Sequence, residues 1–198
     1  MIRPASLVLA ICALTILFST AAAQDADPPT FEVGGQFSIL NFDVFDNFGD
    51  RRRLQYGGGG RFGINFNRYL AAEAQVDYFP QHDNVFIGPI EVPLWGSKTL
   101  AVFGAKAGVR NERLGVFGKA RPGFIHFSRV LGFGCFGGPC PQPKKTVFAF
   151  DVGGVAEYYP SRRTVLRFDV GDTIIGAHQQ FIPRRHNLQI SVGAAFRF

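Results

Sequence analysis

From Leu188 to Phe198 every even-numbered position is apolar: Leu188, Ile190, Val192, Ala194, Phe196 and Phe198. Gln189, Ser191, Gly193, Ala195 and Arg197 stand between them. Side chains along a strand point alternately to opposite faces, so this pattern predicts a strand with one greasy face and one small or polar face. The same alternation recurs over Phe31–Leu40, Tyr56–Phe66, Leu70–Phe79, Thr99–Val109, Leu114–Phe127, Val147–Tyr159 and Thr164–Thr173. That makes eight strands. The connections alternate in length. Asn67–Tyr69, Arg110–Arg113 and Pro160–Arg163 read as tight turns, and the stretches around 41–55, 80–98, 128–146 and 174–186 read as long loops. An even strand number with short turns on one rim and long loops on the other predicts an all-β fold, an eight-stranded antiparallel up-and-down transmembrane β-barrel, with both chain ends on the short-turn side.

Alternation alone does not say which face points inward, because a soluble carrier barrel is apolar inside. Composition decides. Hydrophobic residues make up 46% of the chain, with 22 Phe and 24 Gly. The other face carries Gly, Ala, Ser and Asn with one or two charges per strand, whereas a soluble exterior is dense in Lys, Glu and Asp. Tyr56, Tyr69, Tyr78, Tyr158 and Tyr159 fall near strand ends, where an interfacial girdle belongs. At the other end of the chain, Arg3 is the one charge before Asp25, Ala5 to Phe18 is apolar, and Ala21-Ala22-Ala23 follows. This reads as a cleaved secretory signal over residues 1–23, leaving one barrel domain over 24–198. The apolar run is short for a membrane helix, and Ile11 before Cys12 is too large for a lipid-anchor site. The net charge of +6 does not point to nucleic acid, because export removes the chain from it and no recognition motif is present.

The ending has a polar Ser191, then Gly193, then aromatics at the third-last and last places, Phe196 and Phe198. It resembles the assembly signal read by the outer-membrane insertion machinery. With the leader and eight strands, the chain resembles small outer-membrane barrels of the OmpA transmembrane-domain and OmpX type. The resemblance implies Sec export to the outer membrane of a Gram-negative-type bacterium, a monomer without cofactor, and a structural, adhesive or surface-binding role. A narrow pore is the alternative. Nothing follows the eighth strand, so the periplasmic peptidoglycan-binding domain of full-length OmpA-like proteins is expected to be absent.

Four groups of residues could carry chemistry. Parity sends Glu73, Lys106, Lys119, Arg121, Glu157, Arg167, Asp169 and Arg197 into a lumen barely wide enough for side chains, so they are expected to pair as a salt-bridge plug. His126-Phe127-Ser128 is similar to the His-x-Ser motif of outer-membrane lipid A deacylases, which implies His126 as base and Ser128 as nucleophile. Arg129 stands where that family has Asn, the sixth strand offers no outward acid to orient His126, and Pro122-Gly123 provides a bulge that would reverse the parity. Cys135 and Cys140 form a nearby pair expected to bridge in an oxidising compartment, and no further ligands nearby suggest a metal. Arg51, Arg52 and Arg53 fall in a long loop, where guanidinium groups would suit lipopolysaccharide phosphates.

Overall fold

The computed structural model describes residues 30–46, 49–80, 83–87, 90–128, 144–176 and 185–198, with backbone alone for 43–46, 49–52, 83–87, 90–95 and 185. Ten strands run in chain order: β1 (Phe31–Asp46), β2 (Gly49–Asn65), β3 (Leu70–Phe79), β4 (Asp83–Ile87), β5 (Ile90–Trp95), β6 (Lys98–Arg110), β7 (Leu114–Phe127), β8 (Lys145–Tyr158), β9 (Thr164–Ile175) and β10 (Arg185–Arg197). Eight of them close an antiparallel barrel in the order β1-β10-β9-β8-β7-β6-β3-β2, while β4 and β5 form a separate hairpin.

The expected eight membrane strands are all present, but two expected loops are not loops. Residues 41–46 and 49–55 continue β1 and β2 as a paired ladder as far as Asp46 opposite Gly49, so Arg51, Arg52 and Arg53 lie in a strand. They stand opposite Val44, Asp43 and Phe42. The segment 80–98 contains the β4–β5 hairpin. The ladder persists in both places because paired backbone groups satisfy one another beyond the greasy wall. Pro122 produces no bulge: Val102 pairs with Gly123 and Ala105 with Ala120, one register on both sides of it. Arg110, expected in a turn, is the last residue of β6.

The three tight turns share one device. Asn67 Oδ1 accepts from the amides of Tyr69 and Leu70, both at 2.8 Å. Asn111 Oδ1 accepts from those of Arg113 (3.0 Å) and Leu114 (2.7 Å), and Ser161 Oγ from those of Arg163 (3.3 Å) and Thr164 (3.1 Å). Short polar side chains thus replace backbone acceptors where the chain reverses.

Following paired residues once around the wall, from Leu40 through Gln189, Gly171, Gly153, Lys119, Lys106, Ala71 and Asn65, returns to Thr30, ten residues below the start. This stagger tilts the strands and brings residues distant in sequence to one level of a narrow interior. The seam between β1 and β10 is tight. A Cβ on Gly193 would lie 2.5 Å from the Gly35 carbonyl, so only glycine fits there.

The exterior is the greasy face. Phe103, Val116, Phe148 and Phe198 are among its most exposed side chains, while the interior buries Arg, Lys, Glu and Asp. Phe103, 59% exposed, lies between strand ends on this wall. Phe103→Arg is expected to lower folding stability in lipid vesicles by about 2–4 kcal/mol, measured by urea titration.

Candidate functional site: the sealed lumen and its rims

The eight charges selected by parity all point inward and are buried. Glu32, Arg61, Arg110 and Asp151 join them. Among the described residues the result is one connected network of seven cations and five carboxylates. At its centre Glu73 receives Arg167 (2.7 Å), Arg121 (2.7 Å) and, at longer range, Lys106 (3.9 Å). Lys119 sits between Asp151 (2.8 Å) and Asp169 (2.5 Å). Asp151 also pairs with Arg121, and Asp169 with Arg167 at 2.8 Å. Toward the short turns, Glu157 gathers Lys106, Arg167 (3.5 Å), Arg110 (3.4 Å) and Arg197 (3.4 Å). Glu32 ties Arg197 (3.2 Å) and Arg61 (3.1 Å) together across the seam.

Glycines make the room. A Cβ on Gly171 would meet Asp151 Oδ1 at 2.7 Å and Lys119 Nζ at 3.0 Å. Glu32, Arg61 and Asp151 also share the inward parity of their strands. Arg110 was hidden by its assignment to a turn.

Tyr159 departs from the expected girdle. It is buried at the short-turn end, where its hydroxyl donates to Glu157 (2.7 Å) and accepts from Arg110 Nε (2.8 Å). The Arg197 guanidinium lies 4.1 Å from its ring centre. Inward placement gives the phenol charged partners that the lipid face lacks. Tyr56, Tyr78 and Tyr158 do face outward.

Above the network lies a neutral polar layer around Asp77, which is fully buried. Its Oδ1 accepts from Gln36 (2.7 Å) and Ser38 (3.2 Å), and its Oδ2 from Gln75 (2.6 Å) and Gln189 (2.9 Å). These fill the four lone-pair positions of a carboxylate. Ser38 and Ser191 hydroxyls meet at 2.8 Å, which locks this layer to the seam.

Toward the long-loop end the interior turns apolar. Leu40, Phe42, Phe79, Leu100, Val102, Ile125, Phe127, Val147, Ala149 and Ile175 form one buried cluster. Lys98 is enclosed with them, donating to Gln55 (3.1 Å) with its ammonium 5.1 Å from the Phe42 ring centre. This second layer was not expected. Its signal is in the chain: Val147-Phe148-Ala149-Phe150 and Leu100-Ala101-Val102-Phe103 are apolar without alternation, as strands covered on both faces are.

His126 and Ser128 have separate partners. His126 Nδ1 is 2.8 Å from Thr146 Oγ1, and Ser128 Oγ accepts from Ser97 Oγ at 3.0 Å. A carboxylate does orient an imidazole elsewhere on the outer wall, Asp172 to His186 at 2.5 Å. Of the ending, Ser191 and Gly193 line the seam, while Phe196 and Phe198 face outward beside Phe31. Cys135, Cys140 and residues 1–23 lie outside the described residues. Among the described residues no cluster of three His, Cys, Asp or Glu side chains could hold a metal.

This geometry has known counterparts. Residues 10–196 match the family described as outer membrane protein beta-barrel domain. No curated protein matches. Among solved structures, Neisserial surface protein A (NspA) is 12% identical with a TM-score of 0.61, over 85% of this chain and 97% of that one. OprG from Pseudomonas aeruginosa is 10% identical with a TM-score of 0.56, over 87% and 97%. The attachment invasion locus protein Ail of Yersinia pestis, solved with the heparin analogue sucrose octasulfate, is 14% identical with a TM-score of 0.54, over 88% and 100%. At these identities the likeness is one of fold.

Proposed function

Since the chain belongs to the outer membrane β-barrel domain family, we propose that it serves there as a closed, rigid support that presents its long-loop end to surface partners and conducts no ions. The observation that carries this reading is the pair of seals in series: a paired charge network and, above it, an apolar layer. An ion would have to shed its water at the second and displace ion pairs at the first, each costing several kcal/mol. The β1–β2 ladder, continued to Asp46 and Gly49, and the β4–β5 hairpin give that end ordered backbone to present.

The finer assignments rest on sequence. The leader-like residues 1–23 support Sec export with cleavage. Ser191, Gly193, Phe196 and Phe198 support delivery to the insertion machinery. Arg51, Arg52 and Arg53 in β2 support contact with lipopolysaccharide phosphates, their guanidinium groups matching phosphate geometry.

Planar-bilayer recording tests the main reading. The refolded protein is expected to leave the membrane silent. Stable unitary current steps would replace the support with the narrow-pore alternative.

A further inference from the structure

The three tight turns repeat one pattern: Asn67-Arg68-Tyr69-Leu70, Asn111-Glu112-Arg113-Leu114 and Ser161-Arg162-Arg163-Thr164. Each is anchored twice. The side chain of the first residue holds the amides of the third and fourth. The carbonyl of the third accepts an amide across the next ladder: Tyr69 from Gly108 (2.9 Å), Arg113 from Tyr159 (2.8 Å) and Arg163 from Arg197 (2.7 Å). On this fixed backbone the turns carry Arg68, Arg113, Arg162 and Arg163 against one carboxylate, Glu112. Arg113, Arg162 and Arg163 are exposed.

The turns border the greasy wall directly. Arg113 adjoins Leu114, which is exposed and stands opposite Tyr158. Arg163 precedes Thr164, which stands opposite Phe196. Arg68 lies between Phe66 and Leu70, both exposed, with its guanidinium 5.6 Å from the Tyr69 ring centre. Residues in a strand advance by only about 3.3 Å, so these cations stand where hydrocarbon gives way to headgroups. At that depth a long basic side chain lays its stem along apolar surface and keeps its charge among the headgroups. A guanidinium there matches two phosphate oxygens with paired N–H donors. A soluble polyanion would use the arginines but not the Phe66, Leu70 and Leu114 side chains beside them. A phospholipid uses both, through its phosphate and its acyl chains.

We propose that the short-turn rim is a docking collar for anionic glycerophospholipids of the leaflet it faces. Turn arginines take the phosphodiester, and the acyl chains lie on the wall above. Attraction of an anionic leaflet for basic residues at its surface supplies the energy, and it falls off within a Debye length. The collar holds the barrel at one depth, and it stands whether or not the lumen conducts.

The test reconstitutes the full chain in phosphatidylcholine vesicles with a spin-labelled tracer, either phosphatidylglycerol or phosphatidylcholine. Electron spin resonance reads how strongly each tracer is held at the barrel wall. Phosphatidylglycerol is expected to be held more strongly. Combining Arg113→Gln, Arg162→Gln and Arg163→Gln is expected to bring the ratio of the two closer to one, and Glu112→Gln to raise it. Basic residues elsewhere, and Asp25 and Asp27 outside the described residues, are common to all these proteins, so the differences report the short-turn rim. If the triple variant does not fold, Arg113→Gln and Arg162→Gln singly are each expected to lower the ratio. Exchanging sodium chloride for sodium phosphate at equal ionic strength is expected to leave the preference unchanged. Its loss in phosphate would mean that the rim takes the free ion, and would overturn the proposal. So would a ratio that the Gln substitutions do not move. If they spare that ratio but abolish binding to isolated peptidoglycan, the cell wall replaces the lipid as the partner and the collar is refuted.

Discussion

Glu73→Ala is expected to lower barrel stability by about 3–5 kcal/mol, the cost of removing one partner from a buried ion cluster. Glu73 neutralises Arg167 through two bonds, at 2.7 and 2.9 Å, and Arg121 through a third at 2.7 Å. Its loss takes one carboxylate from each, leaving Arg121 with Asp151 and Asp169 and Arg167 with Asp169 and Glu157, in a space with no room for a full hydration shell. Urea titration of the variant in lipid vesicles reads the effect, with Glu112→Ala in an exposed turn as a control expected to stay within about 0.5 kcal/mol. The size of the result discriminates between two kinds of lumen. In a water-filled lumen the same pairs would be screened and worth about 0–1 kcal/mol. A loss that small would therefore contradict the dry plug.

Phe79→Ala is expected to cost a similar amount, about 3–5 kcal/mol, by a different route. Phe79 is fully buried, and it packs directly on β2 because Gly57 has no side chain. A Cβ there would be 2.6 Å from the ring. The wall is held by continuous ladders on both sides, so it cannot collapse into the space left behind, and a cavity remains. The same titration measures the loss. A change below about 1 kcal/mol would mean that the cluster is loosely packed. Bilayers holding this variant are expected to stay silent, because the charge network beneath is untouched.

The eight membrane strands were legible because lipid imposes a strict rule on one face of each strand, and a period of two leaves no ambiguity of partner face. The inward charges were legible for the same reason. The apolar layer was not. The rule that apolar means outward holds where the interior is polar, and it fails at Leu100, Ile125, Phe127 and Val147, where both faces are covered. The β1–β2 extension was hidden by Asp43, Asp46 and Arg51–Arg53, whose charges resemble a loop once the strand has left hydrocarbon. Which cation meets which carboxylate was unreadable, because the stagger of the barrel, not sequence spacing, sets Glu73 beside Arg167, 94 residues away.

The seam of β1 with β10 joins the first described strand to the last, through Glu32–Arg197 and Ser38–Ser191. Neither edge can find its mate until the whole polypeptide has been delivered. Until then the growing sheet has two unsatisfied margins, each open to pairing with a second polypeptide. A nascent chain must therefore be guarded along its entire length, and the final zipping event converts a sticky ribbon into a body with no free border.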